Sequence, residues 1–143
     1  VSIDKIVIDT NVFLAARDPT EPGHVASRGL LDAVDEERIR GLVSVITIAE
    51  IRAGFTSAQV PALWTPFVSH LRASRSYSIE AVDESIAVAA GEFRSELGIT
   101  LPDALILATA ARRGAGCVAT EDRQLLRVRS TVLTKRPSEI PLG

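Results

Sequence analysis

The sequence predicts an α/β fold, a three-layer α/β/α sandwich around a central, mainly parallel sheet of four or five strands. Short β-branched runs such as Lys5-Ile6-Val7-Ile8-Asp9 alternate along the chain with longer stretches of helical periodicity, and that alternation builds a parallel sheet covered on both faces. The 143 residues suit one domain over positions 1–143. A chain of this size buries roughly 70% of the surface its unfolded form exposes, enough for a core without staples, and a hydrophobic fraction of 46% is too high for a disordered chain.

The elements follow in order. Lys5–Asp9 reads as a buried first strand ending in the polar cluster Asp9-Thr10-Asn11. A short helix is expected over Val12–Arg17, then a loop at Pro19, Pro22 and Gly23, and a helix over His24–Arg38 carrying Val25, Leu30, Leu31 and Val34 near helical spacing. Gly41–Val45 is the second strand. Thr47 opens a helix that Gly54 should stop, and Val60–Ala73 forms another, entered through Pro61, with Leu63, Trp64, Phe67 and Leu71 along one side. Tyr77–Val82 alternates polar and apolar residues as a third strand does. Asp83 caps a helix running to Leu97, with Gly98 as terminator. Thr100 opens a helix through Pro102 to Arg113 that is apolar nearly all round and therefore buried. After Gly114–Gly116 comes a fourth strand, Cys117–Thr120, then Glu121-Asp122, a helical turn over Arg123–Arg127 and a fifth strand at Val132–Thr134.

Several function classes fall away. With 16 basic and 18 acidic residues the formal net charge is -2, so any nucleic-acid contact must come from a local basic patch rather than from overall charge. One cysteine, Cys117, precludes an internal disulfide and a cysteine-based zinc site, and fits a reducing compartment. His24 and His70 lack a ligand spacing and read as surface or helix residues. No apolar run approaches the roughly 20 residues needed to span a bilayer, and the N-terminal stretch lacks signal-peptide organisation, so a soluble cytoplasmic protein is the expectation.

Four of the acids are placed differently from the rest. Asp9 ends the first strand, Asp122 follows the fourth by two residues, and Glu50 and Asp103 fall in the first turns of helices. In a parallel sheet all four lie at or near the carboxyl edge, where such folds carry their sites. Each also has a structural explanation. Thr47-Ile48-Ala49-Glu50 and Thr100-Leu101-Pro102-Asp103 resemble capping boxes, Asp122 suits a cap, and Asp9 an Asx-turn. The joint placement argues for more. Carboxylates brought to about 4 Å repel by roughly 4 kcal/mol per pair at an effective dielectric of 20. Such a group must hold a proton or a cation. An all-oxygen set suits Mg²⁺ or Mn²⁺, one or two ions, and a carboxylate-held divalent ion beside basic residues points to hydrolysis at phosphate. Arg52, Arg112, Arg113 and Arg123 are the basic residues nearest the acids in sequence, read either as a nucleic-acid backbone grip or as a solvated face.

At these residues the chain resembles the PIN-domain family, and within it the VapC-like toxins of toxin–antitoxin pairs. The resemblance rests on four segments in order: Val7-Ile8-Asp9-Thr10-Asn11-Val12-Phe13-Leu14, Ser44-Val45-Ile46-Thr47-Ile48-Ala49-Glu50-Ile51, Leu101–Ala110 around Asp103, and Val118-Ala119-Thr120-Glu121-Asp122. It implies a PIN-like sandwich with Asp9, Glu50, Asp103 and Asp122 as catalytic, metal-binding carboxylates and Thr10, Asn11 and Thr120 as polar supports. Glu121 departs from the pattern, which usually has a neutral residue there, and leaves open whether it or Asp122 faces the metal. The resemblance further implies an endoribonuclease toxin cutting tRNA or rRNA, a cognate antitoxin partner and a homodimer. The helix face with Leu63, Trp64 and Phe67 serves either such an interface or the core.

Rival readings are fewer than the residues first allow. A phosphoacceptor receiver domain needs an acid pair after its first strand, and a haloacid-dehalogenase-like phosphatase needs a second Asp where Asn11 stands. The alternatives are a housekeeping RNA-processing nuclease with the same chemistry, and a non-catalytic binding module that keeps the fold for partner contact, against which the presence of all four acids argues.

Overall fold

The computed structural model describes residues 3–142. Five strands, β1 (Lys5–Ile8), β2 (Arg40–Ser44), β3 (Tyr77–Glu80), β4 (Cys117–Ala119) and β5 (Thr134–Lys135), form one sheet in the order β3-β2-β1-β4-β5. Every pairing is parallel. In β1 all three of Ile6, Val7 and Ile8 are fully buried, as a strand at the centre of a doubly covered sheet requires. Successive side chains go to opposite faces. Ile6 and Ile8 join a core with Val43 and Cys117, while Val7 joins a second core with Leu42 and Val118.

Among the described residues seven α-helices cover the two faces: α1 (Thr10–Arg17), α2 (His24–Asp35), α3 (Val45–Ser57), α4 (Trp64–Ala73), α5 (Glu84–Leu97), α6 (Leu101–Arg113) and α7 (Arg123–Leu126). The first core takes Phe13 of α1, Leu30 of α2, Ile51 and Phe55 of α3 and Leu71 of α4. The second takes Ile106 and Leu107 of α6 and Leu125 of α7. A third cluster stitches α5 to α6 through Ile86, Ala90, Ala104 and Ala108, and the small side chains of the three alanines let the two helices approach closely. Gly98 and Gly114 end these helices at φ 66° and 68°, a conformation glycine adopts without Cβ cost.

Several boundaries differ from the sequence expectation. α2 stops at Asp35 and not Arg38, because Glu37 takes a left-handed φ of 60° and the Arg38 N–H turns back to the Ala33 carbonyl. α3 runs past Gly54 to Ser57 and closes the same way, with Gln59 at φ 60° and the Val60 N–H on the Phe55 carbonyl. Both are Schellman closures made without glycine. At its start α3 is capped by Ser44, whose hydroxyl accepts the Ile46 N–H at 3.1 Å, so Thr47 is an interior helix residue and the expected capping box is not used. Glu50 consequently lies in the second turn of α3, not the first. The fifth strand is Thr134–Lys135 rather than Val132–Thr134. On α4 the expected apolar side is largely taken up by the core: Leu71 is buried and Phe67 sits edge-on to Phe13 and Phe55.

The sheet order reverses at β1, whose successors β2 and β4 lie on opposite sides of it. The carboxyl ends of β1 and β4 therefore border a crevice, the usual location of a site in an open parallel sheet.

Candidate active site

Asp9 leaves β1 as the N-cap of α1. Its Oδ1 accepts the Thr10 N–H at 2.9 Å and its Oδ2 accepts the Thr120 hydroxyl at 2.8 Å. The Asn11 side-chain amide donates to the same Oδ2 at 3.4 Å and to Thr120 Oγ1 at 3.3 Å. Asn11 Oδ1 accepts the Glu121 N–H at 2.9 Å, and Thr120 Oγ1 accepts the Asp122 N–H at 3.0 Å. One polar lattice thus ties the end of β1 to the end of β4, with Thr120 fully buried and Asp9 only 6% exposed.

Glu50 reaches the same place from α3: the Thr10 hydroxyl donates to its Oε1 at 2.6 Å. Asp103 arrives in the first turn of α6, where the Thr100 hydroxyl accepts its N–H at 3.3 Å. Asp122 caps α7, accepting the Gln124 N–H at 2.8 Å. Asp9, Glu50, Asp103 and Asp122 share the lining of one cavity of about 150 Å³ with Thr10, Asn11, Leu14, Pro102 and Ile106. Leu14 and Ile106 were not singled out in the sequence. Ile106 is three residues beyond Asp103 and so on the same helix face, a spacing that could have marked it.

Electrostatics register the crowding. Burial pushes the Asp9 carboxyl up to about 6, against its Thr120 and Thr10 hydrogen bonds and with help from the charges of Asp103 and Glu50. Asp103 is raised as well, by burial first and then by Asp122 and, more weakly, Glu50. The acids that repel one another here are remote in sequence, as expected for a group drawn into one pocket. Among the described residues no three acidic, histidine or cysteine side chains already stand as joint ligands of one ion. Glu50 is engaged by Thr10, and Asp122 by its own helix.

The capping roles and the cavity roles coexist: Asp9 and Asp122 do both. Glu121 points elsewhere, into a neighbouring cleft, where Arg136 Nε lies 3.8 Å from its Oε2. Of the arginines, Arg123 opens α7 and lines that same cleft. The other three do not line the acid cavity. Arg52 lies over the Trp64 ring at 5.3 Å, Arg112 is exposed in the last turn of α6, and Arg113 pairs with Asp83 at 2.8 Å and Glu80 at 3.5 Å. Ten residues of helix separate Arg113 from Asp103, roughly 15 Å at the α-helical rise.

Fold and cavity together define a class: an α/β domain with an all-carboxylate pocket at the switch point of a parallel sheet. Residues 6–130 match the model of the PIN domain family, and the chain belongs to that family. Among solved structures it is similar to FitAcB from Neisseria gonorrhoeae, at 25% identity and TM-score 0.71 over 94% of this chain and 99% of that one. It is similar in fold to a toxin–antitoxin complex from Klebsiella pneumoniae, at 22% identity and TM-score 0.71 over 94% and 99%. VapC20 from Mycobacterium tuberculosis, described as a sarcin–ricin-loop-cleaving toxin, has the same fold at 16% identity and TM-score 0.66 over 84% and 92%. No curated protein sequence matches the chain. No helix among the described residues is long and apolar enough to cross a membrane.

Proposed function

We propose that this chain is a Mg²⁺- or Mn²⁺-dependent endoribonuclease, the toxin of a toxin–antitoxin pair, with Asp9, Glu50, Asp103 and Asp122 as its catalytic carboxylates. The observation that carries the reading is their common cavity, in which a nearly buried Asp9 is raised to about 6 and feels Asp103 and Glu50. Membership of the PIN domain family supports nuclease chemistry.

The donor set fits a hard divalent cation. It offers carboxylate oxygens from four separate elements and no thiolate or imidazole. A bound ion would supply the positive charge that hydrolysis of a phosphodiester requires at neutral pH. The remaining work belongs to the chain itself. Thr120 and the Thr10 N–H fix the Asp9 carboxylate, the Thr10 hydroxyl fixes Glu50, and Asn11 clamps the two strand ends so that these groups keep their separation. Second-layer hydrogen bonds of this kind orient ligands that would otherwise repel one another. Arg123, at the rim, is placed to hold the backbone of the RNA.

RNA as the substrate, tRNA or rRNA in particular, is supported by the description of VapC20. A cognate antitoxin is supported by the toxin–antitoxin complexes among the similar structures. We place the antitoxin on the groove of about 340 Å³ floored by Phe13, Phe55, Phe67 and Leu71, which meets the acid cavity at Leu14. A homodimer and a cytoplasmic location complete the proposal.

The test is incubation of the purified protein with total RNA and Mg²⁺ or Mn²⁺, with mapping of cut ends. Discrete metal-dependent cuts that Asp9→Asn abolishes in a folded protein are expected. Cutting by Asp9→Asn at the parent's rate would overturn the assignment.

A further inference from the structure

Apart from Arg123, the lining of the cleft into which Glu121 points has no role in the chemistry above. The cleft measures about 600 Å³, within the range of small-ligand clefts, and shares Asn11 and Leu14 with the acid cavity. A polynucleotide with one phosphate at the acids can therefore lay a neighbouring nucleotide here.

The lining decides what part of a nucleotide fits. It holds Arg123, Arg136, Glu21 and Glu121 together with apolar Leu14, Ala15, Pro22 and Ala26. With Arg123 given to the RNA backbone, Arg136 and the two glutamates leave no excess positive charge to seat a second phosphate. Balanced donors and acceptors over an apolar surface suit an uncharged, flat, hydrogen-bonding group, and guanidinium planes are stacking partners for bases.

Glu121 is the best fixed reader in the cleft. Its N–H is held by Asn11 Oδ1 at 2.9 Å, in the same lattice that holds Asp9. Its carboxylate rests against Gly23, where a Cβ would stand 2.9 Å from Oε1, and near Arg136 Nε at 3.8 Å. A carboxylate has acceptors only, on two adjacent oxygens. Guanine is the RNA base whose Watson–Crick edge offers two adjacent donors, N1–H and the 2-amino group.

We infer that this cleft is a base subsite in which Glu121, placed between Gly23 and Arg136, selects guanine next to the scissile phosphate. The inference rests on the nuclease reading for its biological use, but its chemistry is testable without cleavage.

The experiment uses Glu121→Gln, which keeps shape and exchanges one acceptor for a donor. A second variant, Gly23→Ala, leaves Glu121 chemically intact while its new Cβ displaces the carboxylate; Gly23 has φ -87° and tolerates alanine. In the binding arm, 5′-GMP, 5′-AMP, 5′-CMP and 5′-UMP are titrated into metal-free protein and followed by amide NMR. Shifts at Glu121, Arg136 and Gly23 with at least tenfold tighter binding of 5′-GMP are expected, and both variants should lose that margin. In the cleavage arm, short RNAs differing only in the base flanking the cut are compared. The parent should favour guanine at least tenfold in kcat/KM, and both variants should level the ratio.

Equal binding of the four nucleotides by the parent, or an unchanged guanine margin in both variants, would overturn the inference. So would a uniform gain of affinity for all four in Glu121→Gln, which would make Glu121 a mask over the arginines. If the parent cuts no RNA, the nuclease reading fails while the binding arm still decides the subsite.

Discussion

Neutralising Asp9 should stabilise the metal-free protein. An acid whose carboxyl sits at about 6 when folded and 3.8 otherwise holds its proton more tightly in the native state. Stability therefore falls as pH rises from about 4 to about 6 and is level above that. The shift corresponds to about 3 kcal/mol lost at neutral pH. Asparagine removes that cost but not without loss. It keeps an oxygen for the Thr10 N–H, but presents an N–H where Oδ2 now accepts Thr120 and Asn11. The Thr120 hydroxyl must turn round, at about 1 kcal/mol. The net gain is about 2 kcal/mol, or roughly 4–8 °C in Tm for a chain of this length. Thermal unfolding of parent and Asp9→Asn in EDTA measures it, at pH 7.5 and pH 4. The variant should melt higher at pH 7.5, and the difference should close by pH 4. A variant that melts lower at pH 7.5 would show that Asp9 is chiefly a cap, and the crowding argument would fail.

Other perturbations separate the parts of the site. Mn²⁺ affinity, followed by calorimetry, should fall nearly tenfold per pH unit below about 6, because the Asp9 proton must leave before a cation can be held; a flat profile from pH 5 to 7 would exclude Asp9 as a ligand. Thr10→Val keeps the backbone N–H on Asp9 but frees Glu50, and should cost roughly 10–100-fold in metal affinity or cleavage rate. Arg123→Ala should weaken RNA binding and reduce the salt slope by about one. Arg113→Ala, which breaks pairs with Glu80 and Asp83 far from the four acids, should leave RNA binding unchanged and lower the Tm little, since exposed ion pairs contribute little.

Much of this was legible in the sequence because burial and polarity change sharply there. Asp9 ends a strand with no other polar residue after Lys5, and Asp103 opens a helix with little polar surface. What escaped depends on competition and on distance in space. Ser44 and Thr47 are both good caps and both are fully buried; the Ser44 hydroxyl takes the cap by accepting the Ile46 N–H, which starts the helix three residues earlier than Thr47 would. Glu37 and Gln59 reverse the chain with left-handed backbones that their side chains do not advertise. Arg113 neighbours the acids in sequence but lies at the far end of α6, while Arg136, distant in sequence, lines the cleft beside them. The choice between Glu121 and Asp122 turns on side-chain direction just past a strand end, where the period of two no longer applies.

The central claim is that four carboxylates from separate elements grip a divalent ion at the switch point of the sheet. Anomalous diffraction from crystals soaked in MnCl₂ tests it most directly. A manganese peak within coordination distance of Asp9 and of at least one of Glu50, Asp103 and Asp122 is the predicted result. A saturating soak that leaves that cavity without a peak, or places manganese only at other acids, would contradict it.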